Sequence, residues 1–113
     1  MADAEGWERV IALDLVAEGK GTRAAFDDDI DVLLVRSGDR VFATTLRCTH
    51  QGAPLDRGPI AGGPAPTVTC PAHGSMFDLA SGTVMRGPAG APLDVFDVRI
   101  SDDGMVEIRP RDL

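Results

Sequence analysis

The chain has no tyrosine, one lysine (Lys20), one tryptophan (Trp7), and only two cysteines and two histidines among its 113 residues. Acidic residues number 18 against 11 basic ones, for a formal net charge of −7. Nucleic acid is thereby excluded as a partner, because binding it requires a basic footprint. The longest clean apolar run, VLLV at Val32 to Val35, is far too short to span a bilayer. The opening MADAEGWERV is acidic and has no apolar h-region, so it does not read as a secretory signal, and a cytoplasmic location is the default expectation. In a reducing compartment two cysteines are expected to be ligands or redox groups rather than a disulfide. The acidity suits a small monomeric carrier that docks against basic patches on its partners.

What the chain has in quantity is glycine (13) and proline (8), alongside 43% hydrophobic and 26% charged residues. Such a composition belongs to an ordered, turn-rich globular fold rather than a helical bundle. Short apolar runs alternate with turn signals. A strand is predicted at Glu8 to Leu13, then a turn at Glu18 to Gly21 and a strand to Phe26. DVLLVR and RVFATT flank Ser37-Gly38-Asp39 as a hairpin. PIAGGPAPT reads as an irregular excursion, TVTC as a strand, CPAHGSMFD as a turn, and Ser81-Gly82 as another turn. A last hairpin turns at Ser101 to Gly104, with a bulge expected near Asp97. DLVAEG offers one helical turn and nothing longer; Asp27-Asp28-Asp29 is a solvated turn. Trp7, Phe26, Phe42 and Phe96 are assigned to the core. The expectation is an all-β chain of one domain over residues 1–113.

The chemistry is concentrated in Cys48-Thr-His50 and Cys70-Pro-Ala-His73, which account for every cysteine and histidine present. Residues i and i+2 of an extended chain lie roughly 6.5 Å apart and point the same way. That is awkward for two ligands of one tetrahedral zinc, whose protein ligand pairs are usually more widely spaced. It suits ligands reaching different atoms of a larger core, such as a diiron cluster clamped from two sides. A Cys2His2 zinc-stabilised binding module is the competing reading from another class. Gly52 and Gly74 let backbone N–H groups approach such a core, and Pro54 and Pro71 stiffen the loops. With both histidines engaged, no Ser–His–Asp catalysis is credible.

CTHQGAPL and CPAHGSMFDLASG resemble the two cluster-binding loops of Rieske iron–sulfur proteins, and Gly87-Pro88-Ala89 resembles that family's proline loop. The resemblance implies an antiparallel β sandwich or barrel carrying a small cluster-binding subdomain, with loops at about 46–56 and 69–79. It implies one [2Fe-2S] cluster, with Cys48 and Cys70 on one iron and His50 and His73 on the other. Neutral imidazoles in place of two thiolates raise the reduction potential over all-cysteine clusters.

Respiratory members of that family carry an extra cysteine in each loop, joined as a disulfide; Ala53 and Ala72 stand there instead. Ser75 matches their cluster-bonding serine, but Phe77 stands where their tyrosine would be. Fewer donors to sulfur predict a potential at the low end of the Rieske range, roughly −150 mV. The chain therefore resembles a free-standing Rieske ferredoxin. The resemblance implies single-electron transfer from a flavoprotein reductase to a terminal ring-hydroxylating oxygenase. The runner-up is a small Rieske subunit of a nitrite reductase-like complex. Gln51, Pro54, Leu55 and Pro88 are expected around the histidine edge as a docking surface, with Phe77 packed beside the cluster.

Overall fold

The computed structural model describes residues 5–27 and 30–111. Among the described residues ten strands follow one another: β1 (Glu8–Ala12), β2 (Gly21–Asp27), β3 (Ile30–Ser37), β4 (Arg40–Thr45), β5 (Ile60–Ala61), β6 (Thr67–Thr69), β7 (Met76–Asp78), β8 (Val84–Arg86), β9 (Val95–Ile100) and β10 (Met105–Pro110). A single 3₁₀ turn, Leu13–Leu15, is the only helical piece among the described residues. All strand pairings are antiparallel, in a six-stranded sheet ordered β1-β10-β9-β4-β3-β2 and a four-stranded sheet ordered β5-β6-β7-β8. The outer strands β1 and β2 of the larger sheet lie against each other, so it nearly closes into a barrel.

β3 explains why the apolar run VLLV sits where it does. Successive side chains of a strand point to opposite faces. Val32 and Leu34 enter the barrel core with Phe26, Ala43, Phe96, Val106 and Ile108, while Leu33 and Val35 join a second core with Leu55, Val68 and Phe77. None of the four retains exposed surface. A strand buried on both faces has no polar positions, hence VLLV rather than alternation. At about 1.5–3 kcal/mol for each buried side chain, this strand is the joint that holds the smaller sheet onto the larger.

The β3–β4 hairpin forms as read, turning at Gly38 (φ +65°) and pairing Ser37 with Arg40. The β9–β10 hairpin also forms, but Asp97 carries no bulge: the register runs unbroken from Val106–Ile100 to Pro110–Phe96. Phe96 and Val98 face the barrel core, which puts Asp97 on the outer face, within 3.0 Å of Arg111 and 3.6 Å of Arg109. An outward carboxylate keeps the strand's parity, and the expected slip came from counting Val95 as inward. Bulges occur instead between Arg9 and Ile11, Ala25 and Asp27, and Met76 and Phe77.

Three further readings change. Ile60 and Ala61, within the stretch taken as irregular, pair with Val68 and Thr67. β7 was hidden in a segment read as a turn and β8 in a stretch given no assignment, because three-residue strands are too short to show alternation. Trp7 belongs to neither core; its ring lies between the guanidinium groups of Arg99 (4.4 Å) and Arg109 (4.5 Å). Asp28 and Asp29 of the acidic run lie outside the described residues.

Candidate metal centre

The smaller sheet presents two loops built to one plan. In the first, the Cys48 N–H donates to the Ala53 carbonyl at 2.8 Å, and the Gly52 N–H donates back to the Cys48 carbonyl at 2.8 Å. In the second, the Cys70 N–H donates to the Ser75 carbonyl at 2.7 Å, and the Gly74 N–H donates back to the Cys70 carbonyl at 3.0 Å. Each cysteine is thus bonded four and five residues ahead in the same sense. Gly52 (φ +79°) and Gly74 (φ +81°) occupy matching left-handed positions that a side chain would strain. The histidines leave this common frame at different points, two residues after Cys48 and three after Cys70. The unequal spacing in the sequence is therefore a difference of exit point, not of loop shape.

Both sulfurs lie inside and both imidazoles outside. Cys48 and Cys70 are 3% and 2% exposed, within the core that contains Leu55, Phe77 and Ala89, whereas His50 and His73 are exposed. The two rings meet edge to face with centroids 5.1 Å apart. The His50 backbone N–H also donates to Cys48 Sγ at 3.5 Å. Both thiols are free. Among the described residues no three His, Cys, Asp or Glu side chains are placed to hold one metal ion. Two sulfurs within and two nitrogens at the rim suit a core with more than one metal atom.

A third loop, at Gly87 to Ala91, closes the arrangement. The Thr49 hydroxyl donates to the Ala91 carbonyl at 2.6 Å, and the Ala89 N–H donates to Ser75 Oγ at 3.0 Å. One hydroxyl from each cysteine loop thus tethers the third. The Thr49 contact was not visible in the sequence, where a threonine between two ligands looks like filler.

Residues 6–97 match the family model described as the Rieske [2Fe-2S] domain. The chain belongs to this family. Its cofactor is a [2Fe-2S] cluster. The Rieske fold extends over nearly the whole chain in a solved structure, the complex of reduced oxygenase and oxidized ferredoxin in carbazole 1,9a-dioxygenase. There the TM-score is 0.83 at 29% identity, covering 96% of this chain and 97% of that one. The anthranilate 1,2-dioxygenase ferredoxin subunit of Burkholderia cepacia is 33% identical over 90% of each chain. The cytochrome b6-f complex iron-sulfur subunit 2 of Trichormus variabilis is 41% identical over 81% of this chain, but the match spans only 52% of that protein.

Within this Rieske domain, Ser75 and Phe77 have no exposed surface, and Phe77 packs in the same core as both cysteines. Gln51 and Pro88 are exposed and Pro54 is half-buried. Leu55 departs from expectation. It is 0% exposed and lies in the core beneath both cysteine loops, so it is not part of any docking surface. Its N–H bonds to the Leu46 carbonyl at 2.8 Å, which turns its side chain's segment back under the loop. Arg47 and Arg86 were missed by sequence reasoning. Arg47 Nη1 donates to the Gly52 carbonyl at 3.1 Å, and Arg86 Nε donates to the Gly74 carbonyl at 3.4 Å. Each of the twin glycines therefore carries an arginine on its carbonyl. No helix among the described residues is long and apolar enough to cross a membrane.

Proposed function

We infer that this protein is a non-catalytic one-electron carrier that takes electrons from a flavin-dependent reductase and delivers them to a terminal ring-hydroxylating oxygenase. Cys48 and Cys70 hold one iron of the cluster through thiolates, and His50 and His73 hold the other through imidazole nitrogens. When bound, the cluster takes up and releases one electron at a time. The observation that carries the reading is the contrast between two buried sulfurs and two exposed, adjacent imidazoles. It supplies an insulated interior and a single exit edge.

The chain's own residues perform three tasks. The core around Leu55, Val68 and Phe77 keeps water from the sulfurs, which protects the thiolates and lowers the local dielectric. The reciprocal backbone bonds of the two loops hold the ligands before and after transfer, so little structure has to reorganise. Phe77 brings no hydroxyl to the sulfurs, which supports a potential near the lower end of the family's range. Similarity to a dioxygenase ferredoxin subunit along nine-tenths of both chains supports the oxygenase as electron acceptor.

The test is reduction of the cluster-loaded protein by NADH and a flavin-dependent ferredoxin reductase, followed by bleaching of its visible absorption. The reduced protein is expected to give a Rieske-type paramagnetic spectrum with nitrogen couplings from two imidazoles. Lack of nitrogen coupling would overturn the ligand assignment. Isolation only as a stoichiometric complex with a large reductase subunit would overturn the diffusing-carrier role in favour of a nitrite reductase-like subunit.

A further inference from the structure

Charge is distributed around the exit edge in the opposite sense to the rest of the chain. The three segments that make the edge, residues 47–55, 70–76 and 85–91 (the last running from the end of β8 through the third loop), contain none of the 18 acidic residues. They contain two arginines, Arg47 and Arg86, and both are exposed. Each guanidinium is held by the carbonyl of the twin glycine beside a histidine, Gly52 next to His50's loop end and Gly74 directly after His73. Neither has a carboxylate partner among the described residues, as is also true of Arg36, Arg40 and Arg57, whereas Arg9, Arg23, Arg99, Arg109 and Arg111 are all paired with acids.

The carboxylates nearest in sequence are committed or displaced. Asp56 pairs with Arg23 at 3.3 Å, and Asp78 accepts the Ser81 N–H and hydroxyl at 2.9 and 2.7 Å. Asp94 lies past the third loop, at the entry to β9. Distance then decides which charge a partner feels. The longest dimension of the molecule is 39 Å, while charges are screened beyond about 8 Å at physiological ionic strength. Two arginines at the rim therefore outweigh locally the nine excess acidic residues (18 acidic against 9 basic) spread over the remaining surface.

We propose that the histidine edge is a cationic docking tip whose protein partners meet Arg47 and Arg86 with carboxylates. The partner's recess is rimmed by Asp or Glu and floored by apolar groups, since Pro71, Ala72, Met85, Pro88 and Ala91 are exposed apolar residues of the same three segments. This rests on the electron-carrier reading and reverses the expectation from bulk acidity, under which a basic partner surface would be sought. The remaining carboxylates repel an acidic partner in every other orientation, so one protein carries both the attraction and the selection of pose.

The test uses the cluster-loaded, reduced protein and two small oxidants as probes, hexacyanoferrate(III), a trianion, and hexaammineruthenium(III), a trication. Each accepts one electron from the reduced protein, becoming hexacyanoferrate(II) or hexaammineruthenium(II). The hexacyanoferrate rate is expected to fall by about tenfold from low to physiological salt, the lower end of electrostatic steering, and the hexaammineruthenium rate to rise. The double variant Arg47→Glu/Arg86→Glu inverts both dependences, and Arg47→Lys/Arg86→Lys retains the wild-type sense. A hexacyanoferrate rate that rises with salt in the wild type, or a dependence untouched by charge reversal, overturns the proposal. Visible and paramagnetic spectra of each variant report cluster loading separately. A protein that cannot be reversibly reduced by one electron refutes the carrier role itself, whatever the salt dependence.

Discussion

Ser75 Oγ accepts the Ala89 N–H at 3.0 Å at a position with no solvent exposure. A hydroxyl that is already an acceptor still has its proton to donate, and the same core contains both cysteine sulfurs. Ser75→Ala removes the acceptor and leaves the Ala89 N–H buried and unpaired, at a cost of about 1–3 kcal/mol. A lower thermal midpoint and a lower reduction potential are expected together. Lost stability at an unchanged potential would restrict Ser75 to tethering the third loop.

Replacing an exit ligand changes the charge of the centre. His50→Cys exchanges a neutral imidazole for a thiolate, and this added negative charge lowers the potential toward the all-cysteine range. Protein-film voltammetry should show the drop, and nitrogen coupling from one imidazole should vanish from the paramagnetic spectrum. A variant with wild-type spectrum and potential would show that His50 is not a ligand.

Leu55 tests the buried floor. Leu55→Ala opens a cavity under both cysteine loops and is expected to cost about 2–5 kcal/mol. Leu55→Met, close in volume, should cost less than about 1.5 kcal/mol. Cluster bleaching in urea gives the comparison. Equal bleaching rates for wild type and the alanine variant would contradict the role assigned to the floor.

Acid stability should depend on one outer-face network. Bonds from Arg99 and Arg9, at 2.6 and 3.0 Å, hold the Glu107 carboxyl below the usual glutamate range. Asp103 is lowered as well, by the Ser101 hydroxyl first and then by Arg9. A carboxylate whose value falls on folding adds stability that is fully present above the unfolded value, about 4.3 for glutamate. It is lost as pH drops through the lower folded value. Thermal midpoints of wild type and Glu107→Gln should therefore differ most near neutrality and converge below about pH 4. A gap that widens on acidification would contradict the assignment.

Local chemistry was legible in the sequence wherever it depends on neighbours along the chain. The ligand types, the paired Cys–His spacing, the glycines that follow each histidine and the hairpin at Gly38 are all short-range features. So are the absences: with alanine at 53 and 72 no second cysteine pair exists, and without tyrosine no phenol can bond the sulfurs. β7 and β8 were not legible, because three residues carry too little alternation and their pairing is set by the sheet. Nor was the placement of Leu55, which looked like an exposed loop residue until β3 was seen to be buried on both faces.

Residue identities along the chain specify which atoms are available to bind iron and which family of loops could present them. It is the fold that gives two loops of unequal spacing one backbone frame, so that both imidazoles leave at the same edge. It also decided that Arg47 and Arg86, 39 positions apart, flank that edge as a pair. The reason is physical. Ligand chemistry and backbone freedom belong to single residues, whereas the juxtaposition of charges from separate loops depends on strand pairing and on packing of one sheet against another.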